Sequence, residues 1–170
     1  MPDWIAHLNS NVLSHYRTRL VGGFDEPFYR AHRDEIPAEI QFTRDYERSA
    51  LHELAHWCVA GEARRRLDDY GYWYAPDGRT NDQQRAFFEV EVTPQALEKH
   101  FCMALGIAFC VSVDNLGNGA VDGIEGFAAA VNMCFDRYTR HGLPARAALI
   151  SRHLSVYRHA SEKNNNQPIA

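Results

Sequence analysis

Ser49-Ala50-Leu51-His52-Glu53-Leu54-Ala55-His56-Trp57-Cys58 is the stretch on which the reading of this 170-residue chain turns. Leu51, Leu54, Ala55 and Cys58 recur at i, i+3, i+4 and i+7, the apolar stripe of a helix laid against a core. His52 and His56 are four residues apart, so they share one helix face, about 40° from each other around the axis. They flank the stripe, and part of each ring should be buried. Buried imidazoles need partners, and one metal ion is a partner both can share. Zinc, iron, copper or nickel accept two neutral imidazoles. Glu53 stands where zinc proteases keep their general base. A surface helix with two solvated histidines is the bland alternative, and the stripe counts against it. The HExxH pentad alone names neither the metal nor the reaction.

Around this helix the chain reads as helix-dominated α+β. Trp4, Leu8 and Val12 recur at helical spacing, so residues 3–19 are expected to form a first helix with Asp3 as its cap, broken by Gly22-Gly23. Glu39 to Phe42 alternates like a short strand. The pentad helix should run from Tyr46 towards Leu67, with a possible interruption at Gly61. Tyr70 to Arg79 reads as an extended segment and Pro-Asp-Gly turn, and Glu89 to Val92 alternates strictly. Thr93-Pro94 then looks like the start of a helix to about Phe109. Asp114 to Gly119 is a polar loop. Ile124, Phe127, Ala128 and Val131 mark another helix, stopped by Gly142, and a last one runs from Pro144 to Tyr157. The expectation is one compact domain over residues 1–160, with about five helices, a few short strands and a zincin-like HExxH helix. Residues 161–170, with Asn164-Asn165-Asn166, should be a disordered tail.

A formal net charge of −4 implies no general nucleic-acid-binding surface. The opening MPDWIAHLNS has no basic or apolar region of a signal peptide, and no apolar run is long enough to span a bilayer. Cys58, Cys102, Cys110 and Cys134 include no CxxC pair and sit in apolar surroundings. Buried free thiols are expected, which fits a reducing, cytoplasmic compartment.

A catalytic metal site needs a third protein ligand. Glu62 lies roughly 15 Å further along the helix axis than His52 and projects to another side. The third His of a metzincin is absent after Gly61. Glu89 and Glu91 are better placed, among Phe87, Phe88, Val90 and Val92, where a carboxylate is costly to bury unless paired or metal-bound. Glu91 is favoured because it adjoins the expected helix start, with Glu89 the next candidate. His32-Arg33-Asp34 is the HxD that opens the iron triad of jelly-roll oxygenases. That fold needs many strands, whereas His141, His153 and His159 fall in or beside helical segments.

Further segments carry a resemblance. They are Asp25-Glu26-Pro27, the pentad decamer itself, Ala60-Gly61, Gly71-Tyr72-Trp73-Tyr74, Pro76-Asp77-Gly78-Arg79, Val90-Glu91-Val92, Pro94-Gln95-Ala96-Leu97 and Val113 with Asp114-Asn115-Leu116. In this combination the chain resembles the elongation factor P hydroxylase family over roughly residues 20–155. The resemblance implies an iron-dependent monooxygenase that uses molecular oxygen. It would hydroxylate the lysine of elongation factor P after a β-lysyl group has been attached. It implies that His52, His56 and Glu91 form a two-His-one-carboxylate Fe(II) site, with Glu53 as a supporting or proton-relay residue. Zinc or another divalent ion could replace iron in a purified sample. The modified lysine is a long cationic arm, which Tyr74, Asp77 or Asp114 would suit. Arg64, Arg65 and Arg66 would offer a docking patch for an acidic protein partner. The alternative is a zinc metallopeptidase of the HExxH plus Glu type, with Glu53 activating water. A binding module with a structural metal is the third reading.

Overall fold

The computed structural model describes residues 2–71, 80–113 and 123–165. Helix α1 covers Asp3–Asn11, and a single 3₁₀ turn, Leu13–Tyr16, leads into strand β1, Thr18–Phe24. Strands β2, Phe28–Arg30, and β3, Ala38–Thr43, complete a sheet of order β1-β3-β2, with β1 parallel and β2 antiparallel to the central β3. Helix α2, Glu47–Val59, carries the pentad. After the short 3₁₀ turns Arg64–Arg66 and Asp68–Gly71 come α3, Asn81–Leu105, α4, Ile124–His141, and α5, Ala145–Asn165.

Helix α2 lies between the sheet and α3. Ala50, Leu51, Leu54, Ala55, Trp57 and Cys58 are its buried face. They join Phe42 and Ile40 of the sheet, Leu97 and Phe101 of α3, and Ile150 and Leu154 of α5 in one core. Both ends of the pentad helix are tied. Trp4 Nε1 donates to Glu47 Oε1 at 2.8 Å at its start. At its end, Arg146 of α5 donates to the carbonyls of Cys58 (2.9 Å) and Ala60 (2.6 Å). Such carbonyls have no partner within the helix, so a cation placed there satisfies them and favours the helix dipole. A second, smaller apolar cluster of Phe88, Ala96, Phe127, Val131 and Cys134 joins α3 to α4.

The architecture is the expected helix-dominated α+β domain, with several boundaries moved. The first helix stops at Asn11 instead of running to residue 19. Asn9 explains part of the switch: its side chain donates to Leu20 O (3.0 Å) and accepts from Leu20 N (2.7 Å), standing in for a neighbouring strand. Gly22-Gly23 does not end an element but forms an irregularity inside β1, where the register with β3 shifts between Val21 and Phe24. A Cβ on Gly22 would meet Arg44 O and the Phe42 ring at 2.5 Å, and Gly23 has φ +105°. Asp3 lies in the first turn of α1 and makes no capping bond there.

The largest difference is α3. Glu89–Val92 is not a strand, and Thr93-Pro94 is not a helix start. Pro94 sits inside a 25-residue helix that begins at Asn81, capped by a reciprocal box between Thr80 and Gln83. The Glu-Val-Glu-Val alternation arises because two helix faces are both partly covered: Glu91 is buried, Val92 half-buried, Glu89 and Val90 exposed. An interior proline costs about 3 kcal/mol of helix propensity, which packing on two sides offsets here. The pentad helix ends at Val59 rather than near Leu67. The last helix continues to Asn165, so residues 161–165 are helical where a tail was expected. Cys110 is exposed, unlike the other three thiols, and all four are free. Among the described residues no helix is long and apolar enough to cross a membrane. The expected extended segment beyond Gly71 and the Asp114–Gly119 loop lie outside the described residues.

Candidate metal centre

Helices α2 and α3 pack face to face, and their contact brings His52, His56 and Glu91 together, with ligand-type atoms all within 4.8 Å of one another. The two imidazole Nε2 atoms are 3.0 Å apart. Glu91 Oε1 lies 3.1 Å from His56 Nε2, and Oε2 lies 3.5 Å from His52 Nε2. Glu91 is only 2% exposed, whereas the histidines remain partly open, with side-chain exposures of 23% and 14%. Gln95, one turn beyond Glu91 on the same face, donates to Glu91 Oε2 at 3.4 Å and holds the backbone of Ser112.

The donor set fits a first-row divalent cation. Three donors on one face of an octahedron, each about 2.1 Å from a metal, are about 3 Å from each other. Two Nε2 atoms in mutual contact cannot both carry a proton, and two lone pairs alone would repel. A shared cation, either a proton or a metal, resolves the contact.

Electrostatics give the same picture for the metal-free protein. Burial opposes a charged His52, but the Glu91 carboxylate, the hydrogen bond to Glu98 and the nearby Glu53 outweigh it and push its pKa up to about 10. Burial likewise opposes an ionised Glu91, yet the His56 and His52 rings and the Gln95 hydrogen bond hold it down at about 2. Glu53 is half-buried beside them. Its pKa is raised, first by burial and then by the Glu91 and Asp69 carboxylates, against the pull of the two imidazoles. Asp69 belongs to a tight turn in which it and Tyr70 have positive φ, 51° and 58°. Its own pKa is also raised, chiefly by burial.

The other carboxylates considered from sequence lie elsewhere. Glu89 is exposed and lines a cavity of about 400 Å³ between α3 and α4, together with Arg85, Phe88 and Phe127. Glu62 is exposed and pairs with Arg66 at 2.5 Å. Arg33 of the HxD tripeptide pairs with Asp68, also at 2.5 Å, and His32 and Asp34 are exposed. Tyr74, Asp77 and Asp114 lie outside the described residues. The Arg64–Arg66 patch is partly occupied within the fold, since Arg64 donates to Tyr70 O and Arg65 to Ala60 O.

Sequence reasoning missed Glu98 and Arg48. Glu98 is 1% exposed and contacts both His52 and Arg48. The signal was present: Glu91, Gln95 and Glu98 follow i, i+4, i+7, the polar stripe of one helix face. Reading Glu89–Val92 as a strand cut that stripe in two.

A protein built this way belongs to the class that pairs an HExxH helix with a carboxylate from a second helix. Residues 8–167 match the elongation factor P hydroxylase family. The chain is 46% identical over 158 residues to the elongation factor P lysine hydroxylase of Haemophilus influenzae, covering 92% of this chain and 88% of that protein. The chain belongs to the elongation factor P hydroxylase family, and as a member it is an enzyme of the hydroxylase class.

Proposed function

We propose that the chain is an iron-dependent monooxygenase that hydroxylates the β-lysyl-modified lysine of elongation factor P in the cytoplasm. The observation that carries the reading is the His52–His56–Glu91 cluster: three donors converge from two helices, with both imidazoles still partly open to the outside. Such a facial donor set leaves room for oxygen and substrate beside the cation. Iron(II) bound there would supply oxygen activation, one oxygen atom entering a substrate C–H bond and the other leaving as water, with two electrons and two protons from a reductant. Glu91 brings the negative charge that binds the cation, and α3 keeps it out of water. His52 and His56 give up any shared proton and present Nε2. Glu53, whose raised pKa lets it hold a proton nearer to neutrality, would exchange protons at the edge of the site. The free thiols suit a reducing compartment.

The test is the intact mass of modified elongation factor P after incubation with iron-loaded enzyme, oxygen and reductant. The expected result is a gain of one oxygen atom on an uncleaved chain. Peptide fragments would favour the zinc-peptidase alternative instead, and an unchanged mass with fully iron-loaded enzyme would count against the hydroxylase reading. Glu53→Gln sharpens the choice, because it keeps the side-chain size and removes the base. A peptidase would lose nearly all activity, as its water needs that carboxylate. The hydroxylase should keep full metal content and part of its oxygen transfer.

A further inference from the structure

We infer that Glu98, anchored by Arg48, is a positioning residue that fixes which nitrogen of His52 faces the metal. The inference rests on the metal reading of His52, His56 and Glu91 given above. Glu98 lies two turns beyond Glu91 on the same face of α3 and is 1% exposed. Its two oxygens are divided between two partners. Oε1 accepts from Arg48 Nε at 3.0 Å and Nη2 at 2.6 Å. Oε2 lies 3.0 Å from His52 Nδ1. Arg48 is itself held, donating from Nη2 to Cys110 O at 2.7 Å and lying 5.1 Å from the centre of the Phe109 ring.

Chemistry gives this chain a direction. A carboxylate that takes two hydrogen bonds from a guanidinium offers its other oxygen as an acceptor. The proton between Glu98 and His52 therefore sits on Nδ1. Once the ring is neutral, its Nε2 lone pair points at His56 Nε2 and Glu91, where the cation would lie. A carboxylate behind a ligating imidazole fixes its tautomer and ring orientation and makes it a better donor. A simple tie between α2 and α3 would need only Arg48 and Oε1. The placing of Oε2 on His52 Nδ1 is the part that a tie does not explain.

The experiment uses the full-length protein with Co(II) as the probe. Glu98→Gln keeps the volume but leaves one acceptor oxygen for two donors, so it cannot satisfy both Arg48 and His52. Co(II) affinity, measured by chelator competition, should fall tenfold to a hundredfold, and the Co(II) d–d absorption should shift. A merely structural role would lower the melting temperature and leave the affinity and spectrum of the folded protein unchanged. A folded Glu98→Gln with affinity within twofold of the unaltered protein and an unchanged spectrum overturns the inference. The second measurement needs no variant: long-range ¹H–¹⁵N spectra of the zinc-loaded protein should show His52 protonated at Nδ1 and metal-bound at Nε2. Binding through Nδ1 overturns the inference even if Glu98→Gln fails to fold. An unaltered protein that binds neither Co(II) nor Zn(II) sinks the metal reading itself, a failure distinct from these.

Discussion

Glu39 and Glu91 are both buried carboxylates, and they are neutralised in different ways. Glu39, at 6% exposure, occupies the central strand, and its cross-strand neighbours are Arg19 on one side and Arg30 on the other. Both guanidinium groups bond its Oε1, Arg30 at 2.9 Å, and Gln41 takes Oε2 at 2.9 Å. Burial would raise its pKa, but the Gln41 hydrogen bond and the two arginines lower it. Glu91 faces two imidazoles instead. A guanidinium is a permanent cation, so Glu39 is complete as it stands. An imidazole is charged only while it holds a proton. The charge of Glu91 is thus balanced only by an exchangeable cation, a proton or, on the proposed reading, a metal. The first arrangement is suited to holding a sheet together, the second to binding.

The sharpest break of this comparison is His56→Ala. Metal content and hydroxylation should both fall to background, while circular dichroism stays that of a folded protein. Leu51, Leu54 and Ala55 keep the helix packed, and alanine is a good helix former. An unfolded variant would mean that the cation is structural, which revives the binding-module reading.

The exchange of proton for metal predicts a pH dependence. The metal-free His52 has its pKa raised to about 10. Its contribution to stability is fully present below the unfolded value near 6.5 and is lost as pH rises through about 10. Between these values a metal must displace one proton. Zinc affinity should therefore rise about tenfold per pH unit from pH 7 to 9, with release of about one proton per ion at pH 7. Titration calorimetry in two buffers of different ionisation heat measures that proton. A flat affinity would show that His52 is already neutral in the metal-free state.

On the sheet side, Glu39→Gln should leave metal content unchanged and lower stability by about 1–3 kcal/mol at pH 7. The value lies below that for a fully buried pair because Arg19 and Arg30 keep contact with water. A group with a lowered folded pKa contributes stability above its unfolded value and loses it as pH falls through the folded one. The gap between variant and parent should consequently close in acid. Chemical denaturation at pH 7 and again at pH 3 tests both halves.

How much of this was legible in the sequence follows from the range of each signal. The pentad helix and its two histidines were readable because i, i+4 spacing is a local property. Glu91 was reachable through the cost of burying a carboxylate among apolar neighbours. Glu98 and Arg48 were not found, since their roles depend on two helices meeting and on the true start of α3. Thr80 and Gln83, spaced as a capping box, marked that start, but the Thr93-Pro94 pair gave a stronger and wrong one. Strand β1 is masked in the sequence by helical spacing from Trp4 to Val12 on one side and by Gly22-Gly23, which reads as a break, within it. The side chain that favours the strand, Asn9, acts through a contact eleven residues away.

The smallest expected effect comes from the carboxylate nearest to Glu91 in sequence. Glu89 is two residues away, which on a helix turns it about 200° around the axis, and it is exposed. Water already solvates it, so removing its charge relieves no burial cost and breaks no ligand bond. Its exposure also lets solvent and salt screen its field. Glu89→Gln should change metal affinity by less than about twofold and stability by less than about 0.5 kcal/mol. Glu91→Gln in the same assay should abolish metal retention. Chelator competition on the two variants side by side decides the matter. Equal losses in both would mean that the metal draws on the general negative charge of α3, and the distinction between a ligating carboxylate and a solvated one would fail on this helix.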